Sequence, residues 1–203
     1  MLCLQVPTDS AWVGHALTAL DHVLQDHAFC ELKAASNAMS LIARHPDDLE
    51  LVHALTSLAR EELDHFERVV FVLQQRGLAL GNPEIDWYAA ELRKAVATLP
   101  RDPALPVLVD RLLVAAVIEA RSCERFRLML DHWTDPSDDL RAFYEELFVC
   151  EAKHYRMLCS LAERVARDER RRVPQRLHSL AEREAFIVRR LATRQERRAT
   201  VHG

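Results

Sequence analysis

The chain has 203 residues, 49% of them apolar, 29% charged and only four glycine, with a formal net charge of −4, which excludes a disordered or low-complexity chain and is ample for one buried core. No run of 18 apolar residues occurs and the opening MLCLQVPTDS is too short and polar for a secretion signal, so a membrane span is excluded and a cytoplasmic protein is expected. Five cysteines (Cys3, Cys30, Cys123, Cys150 and Cys159), odd in number and without a C-x-x-C, exclude a disulfide framework, a zinc knuckle and a rubredoxin-like iron site, and are expected to be small core residues.

In chain order the pattern predicts helices and no strands. A first helix is expected over 10–20. Residues 21–43 place Val23, Leu24, Ala28, Leu32, Ala35, Met39 and Ile42 at helical spacing. Pro46 marks the start of the next helix, which runs to residue 76 with Gly77 as its stop. Residues 77–105 form an excursion punctuated by Pro83 and Pro100, with a short helix over 85–96 that suits a lid or substrate wall. A strongly apolar helix follows over 106–133, another over 139–170, and Pro174 opens a last one that ends near 198. Four long helices with short satellites predict a single all-α domain over 1–203: a ferritin-like four-helix bundle at about 21–170 and a basic C-terminal helix at about 174–198. The basic character is local. From Glu163 onward there are 12 Arg against 6 acids, leaving 15 basic and 25 acidic residues for the rest of the chain. Arg164, Arg167, Arg170, Arg171, Arg172 and Arg176 cluster around Pro174, and the choice is between a solvated helix face and a nucleic-acid footprint.

Two segments repeat one arrangement. EELDHF puts Glu62 and His65 three apart in a helix, and CEAKHY does the same with Glu151 and His154. Residues i and i+3 lie about 60° apart on one helix face, so each pair can grip one metal ion. Each pair also has a glutamate upstream: Glu31 precedes Glu62 by 31 residues, and Glu119 precedes Glu151 by 32. At 1.5 Å per residue the two legs of the first hairpin are about 18 and 24 Å, and those of the second about 21 Å each, so the partners return to one level within a turn. Both glutamates have small or apolar neighbours: Leu112, Ala115 and Ala116 before Glu119, Ala34 and Ala35 after Glu31. A carboxylate there is costly unless paired or ligating, and the small neighbours leave room beside it.

A third E-x-x-H, Glu50 with His53, is twelve residues before Glu62, about 120° around the helix. It has no upstream partner and is read as surface. Phe66 and Tyr155 follow the two histidines and are read as packing residues. His27, one turn before Glu31, is either a hydrogen-bond partner of that carboxylate or a polar surface residue.

Four Glu and two His are oxygen donors and imidazole, which suits iron or manganese, and four carboxylates neutralise two divalent ions. A glutamate from each of two helices and Glu-x-x-His from the other two is the carboxylate-bridged dimetal pattern of ferritin-like bundles. That pattern also serves iron storage and peroxide handling, so it does not by itself name a reaction.

The segments CELKAASNAMSL (30–41), LAREELDHFERV (58–69), IEARSCERF (118–126) and CEAKHY (150–155) resemble the bacterial tRNA 2-methylthio-N6-isopentenyladenosine hydroxylase family, MiaE, over about residues 10–190. The resemblance implies a non-haem diiron monooxygenase that hydroxylates the isopentenyl group of the modified adenosine next to the anticodon in tRNA. Its implied ligands are Glu31, Glu62, His65, Glu119, Glu151 and His154, holding two iron ions with O2 as co-substrate. No flavin, nicotinamide or iron–sulfur motif is visible, so electrons are expected from an external reductase or ferredoxin. The extreme C-terminus, RRLATRQERRATVHG, lies outside the matched part.

Overall fold

The computed structural model describes residues 2–135, 137–192 and 201. Among these the chain is helical without strands: α1 (Ser10–Thr18), α2 (Leu20–Arg44), α3 (Leu49–Gln75), α4 (Trp87–Thr98), α5 (Val107–His132), α6 (Asp139–Ala166), a 3₁₀ turn η1 (Arg167–Arg172) and α7 (Val173–Ala192). Contacts divide it into two compact units, one built on α2 and α3 (Thr18–Ile85), the other on α1 and α4 to α7. Each long hairpin lies within one unit.

In the first unit, α3 has a clean buried stripe at three- and four-residue steps, Leu51, Leu55, Leu58, Glu62, His65, Val69 and Leu73. The opposed stripe of α2 is Val23, Leu24, His27, Ala28, Glu31, Ala35, Ala38 and Leu41. This is the spacing that points one face of a helix at its neighbour. Leu32 and Met39, expected in that stripe, are exposed, and Ala38 and Leu41 take the inward positions. The helix expected from Pro46 starts at Leu49, because Asp48 caps it by accepting from the amide of Leu51 at 3.1 Å. Gly77 ends it with φ +70°, and the amide of Leu78 returns to the carbonyl of Leu73 at 2.9 Å.

In the second unit α5 is buried almost all round, as a central helix must be, and pairs lengthwise with α6. The α6 stripe is Leu140, Phe143, Tyr144, Leu147, Glu151, His154, Leu158 and Leu161. The short helix expected within the excursion forms as α4 in this unit. α4 packs on α5 and α7, with Tyr88 fully buried and Glu91 paired to Arg190. The sixth helix stops at Ala166 and not near Arg170. Arg167 takes φ +53°, which breaks the α-helix and starts η1. The last helix begins at Val173 with Pro174 in its first turn, where a missing amide hydrogen costs nothing. Its expected end near residue 198 lies outside the described residues. Four of the five cysteines are half-buried and only Cys123 is a core residue, a departure from the expectation for the set; all five are free thiols.

Candidate metal centre

The six residues picked out by spacing are all buried, between 1% and 6% exposed. In the α2–α3 unit, Glu62 and His65 take consecutive positions of an otherwise apolar α3 stripe, and Glu31 does the same on α2. The helical period therefore forces two carboxylates and an imidazole inward. Ligand atoms of these three lie within 4.8 Å of one another. His65 Nδ1 is 3.4 Å from Glu31 Oε2 and 3.9 Å from Glu62 Oε2, and the Glu31 oxygen is buried without a hydrogen bond.

The electrostatics of this half are those of a cation site. Burial would push His65 down, but Glu31 and Glu62 beside it outweigh burial and hold its imidazole up at about 11. Burial pushes the Glu31 carboxyl up, yet Glu62, His27 and His65 together hold it well below the usual carboxylate range. Positive charge is thus strongly favoured among these carboxylates. His27 is fully buried with Nε2 2.7 Å from Glu31 Oε1, which decides its role: it is the partner of that carboxylate and no surface residue.

The α5–α6 hairpin repeats the composition. Glu119 on α5 and His154 on α6 bring ligand atoms within 4.8 Å of each other, and Glu151 lies one turn before His154 on the same buried stripe. Two carboxylates and one imidazole per hairpin form a donor set of oxygen and nitrogen without sulfur, which fits iron or manganese. Ligand atoms this close can converge on one ion at ordinary bond lengths of about 2.0–2.2 Å with small side-chain adjustments. The residues present in each hairpin, taken by itself, therefore fit such an ion.

Glu50 and His53 are exposed, as their position around α3 requires. Phe66 and Tyr155 are half-buried, and the Tyr155 hydroxyl meets the thiols of Cys3 and Cys159, a contact no spacing signals. Burial pushes the Cys3 thiol up to about 11, so it is inert at neutral pH.

A polar network around α5 was not legible in sequence. Arg121, fully buried, binds Glu184 of α7 at 2.7 Å, Glu124 at 3.0 Å and the carbonyl of Val6 at 3.0 Å. Tyr88 donates to Glu184 at 3.1 Å, and Thr8 donates to Glu124 through its amide (2.9 Å) and hydroxyl (2.6 Å). Arg125 donates to Thr8 Oγ1 at 3.2 Å and stacks over Trp12 at 4.8 Å. These two arginines tie the N-terminal segment, α4 and α7 to the helix that carries Glu119.

The comparisons with known proteins identify the family. The family model described as tRNA-(MS[2]IO[6]A)-hydroxylase (MiaE) matches residues 1–198. A Pseudomonas putida protein named tRNA 2-(methylsulfanyl)-N(6)-isopentenyladenosine(37) hydroxylase is 42% identical over 159 residues, covering 78% of this chain and 74% of that one. A Salmonella typhimurium protein of the same name is 29% identical, with 91% and 83% covered. Among solved structures, one titled protein 43 with aldehyde deformylating oxygenase activity from Synechococcus is 36% identical with a TM-score of 0.87, covering 100% of this chain and 96% of its own. The fold is all-α and ferritin-like, as the spacing predicts. With its family model matched almost end to end, the chain belongs to the MiaE family of tRNA hydroxylases.

Proposed function

We propose that this chain is a diiron monooxygenase that hydroxylates the isopentenyl group of 2-methylthio-N6-isopentenyladenosine next to the anticodon in tRNA. The observation that carries the reading is the burial, in each of two hairpins, of two glutamates and one histidine on a single core-facing stripe, in a chain of this family. In the reading the chain acts as one ferritin-like domain in the cytoplasm. Among the described residues no helix is long and apolar enough to cross a membrane.

Glu31, Glu62, His65, Glu119, Glu151 and His154 would hold two iron ions. Bound iron would supply the electrons that activate O2 and the oxidising power to break an unactivated C–H bond, which no side chain can do. The reaction consumes O2, two electrons and two protons, places one oxygen atom in the new C–O bond and releases the other as water. The electrons come from a separate reductase or ferredoxin. The chain's own part is to position and exclude water: His27 fixes Glu31 through their 2.7 Å contact, and buried Leu58, Ala59, Val69, Leu112, Ala116 and Leu147 keep the ligand stripes dry.

The test is iron-loaded protein supplied with reductant, labelled O2 and tRNA bearing the unhydroxylated nucleoside, followed by nucleoside mass spectrometry. The expected product carries one labelled oxygen in the isopentenyl chain. Label entering from water rules the oxygenase reaction out. A mineral iron core with unaltered tRNA selects iron storage, and rapid peroxide breakdown by a manganese-loaded protein selects peroxide handling. The Synechococcus structure favours a second reading in which an apolar aldehyde is the substrate; turnover of a long-chain aldehyde with tRNA untouched would select it.

A further inference from the structure

We infer that η1, the turn between α6 and α7, is a phosphate clamp that anchors the RNA substrate through Arg167, Arg170 and Arg171, about 20 Å along α6 from the proposed ligand His154. The inference rests on the tRNA reading above.

Six arginines around Pro174 look equivalent in sequence, and the structure divides them. Arg176 is buried in a two-pronged pair with Asp110 at 2.7 and 2.9 Å and also donates to the carbonyl of Pro100 at 2.9 Å. Arg172 is held by Glu169 at 2.6 Å and Asp102 at 3.3 Å. Arg164 is half-buried. Those three have structural work. Arg167, Arg170 and Arg171 are exposed and have no ion-pair partner among the described residues.

Three such cations within five residues repel one another, and nothing among the described residues pairs with them. The turn that carries them is nevertheless fixed at both ends. Ala166 before it and Val173 after it are buried, and Arg172 binds it down to Asp102. A fixed platform of unpaired guanidinium groups suits a polyanion, because the ordering cost is already met by the fold, and guanidinium matches phosphate oxygens two at a time. The acidic balance of the rest of the chain confines that attraction to the C-terminal segment.

Position separates RNA backbone from other anions. His154 and Arg167 lie on one continuous stretch of α6 and its end, thirteen residues apart, which is about 20 Å at 1.5 Å per residue. That span corresponds to several base pairs of an A-form RNA stem. A nucleotide presented to the α6 ligands would place the stem next to its loop, and not the loop itself, over η1. Contacts of this kind position the RNA and read no base.

The experiment uses the full-length iron-loaded protein and an unmodified anticodon stem-loop RNA, with affinity measured across a salt series. Each lost phosphate contact should lower the slope of log affinity against log salt by about 0.7–0.9. The triple variant Arg167→Glu, Arg170→Glu, Arg171→Glu is expected to lower the slope by about 2 and to weaken binding at least tenfold at low salt. Iron content and thermal midpoint should stay at wild-type values. Replacing the same three with Gln should lower the slope equally with a smaller loss of affinity. A control of equal charge change, Arg60→Glu, Arg93→Glu, Arg111→Glu, all exposed elsewhere, should leave the slope nearly unchanged. Equal loss in the control, or a wild-type slope in the triple variant while hydroxylation of tRNA persists in the parent, overturns the clamp and leaves the enzymatic reading standing. Failure of the parent protein to bind the RNA at all overturns both.

Discussion

His27 shows how one buried side chain can support a proposed metal site by holding one of its carboxylates. Its ring nitrogen sits 2.7 Å from Glu31 and fixes which carboxylate oxygen is left to face inward. His27→Ala should weaken metal binding about 10- to 100-fold, the usual consequence of losing an outer partner, while His27→Gln, which keeps a donor, should recover much of it. Equilibrium titration with ferrous or cobaltous ion checks this, and equal affinity for Ala and wild type would show His27 to be idle. Arg121 illustrates the opposite case, a residue whose role cannot be read from its neighbours. Arg121, Arg125 and Arg127 follow one another along α5. The first two are buried, because their partners Glu184 and Thr8 are 63 and 117 residues away. Only Arg127 is exposed, paired one turn on with Asp131 at 2.9 Å. Removing one partner of a buried ion pair typically costs about 3–5 kcal/mol, whereas an exposed pair of this type contributes about 0.5 or less. Arg121→Ala should therefore lower the denaturation midpoint strongly and Arg127→Ala hardly at all. Comparable midpoints for the two variants would refute the assigned network.

At the scale of helices, the inward direction of the six candidate ligands was legible because polar residues interrupt a strict period. Glu62 and His65 fall where α3 otherwise presents Leu55, Leu58 and Val69, and a period that regular leaves no doubt about direction. Ends were less legible. Asp48 and not Pro46 sets the start of α3, since a capping side chain satisfies the first free amides, which proline only tolerates. The break after Ala166 carries no glycine or proline to announce it; Arg167 occupies a positive φ that favours glycine. The residue is held there at a cost that strained backbone positions of this sort put at about 1–3 kcal/mol. Arg167→Gly is accordingly expected to stabilise the fold by roughly 1 kcal/mol, seen as a higher urea midpoint with unchanged slope, while losing one of the three η1 cations and part of the salt dependence of RNA binding. A lower midpoint would mean that the arginine side chain packs favourably enough to offset the backbone.

For the whole molecule, the burial of four carboxylates and two imidazoles is a stability problem that bound metal would solve. Within the α2–α3 unit, the carboxylates of Glu31 and Glu62 are buried side by side with the imidazoles of His65 and His27. Burying such charge is expensive, so the metal-free chain is held below the stability its apolar stripes alone would give. Ligand that binds only the folded state adds stability as RT ln(1 + [L]/Kd), about 2.7 kcal/mol at a hundredfold excess over Kd. The thermal midpoint of the metal-free protein should thus climb steadily with anaerobic ferrous ion, towards a stoichiometry of about two per chain. Glu62→Gln separates fold from function. It removes one buried carboxylate and retains the shape and a donor, leaving Glu31 with the imidazoles of His65 and His27. The metal-free variant is expected to melt above the metal-free wild type, to lose at least one of the two ions, and to gain little on adding iron. Substitution of His154 by Ala should also lose at least one ion, without the rise in the metal-free midpoint, because it deletes an imidazole and leaves both carboxylates of that hairpin buried. A Glu62→Gln variant that melts lower than wild type in the absence of metal, yet still binds two ions, would show that these carboxylates belong to the packing of the core and that the metal assignment is wrong.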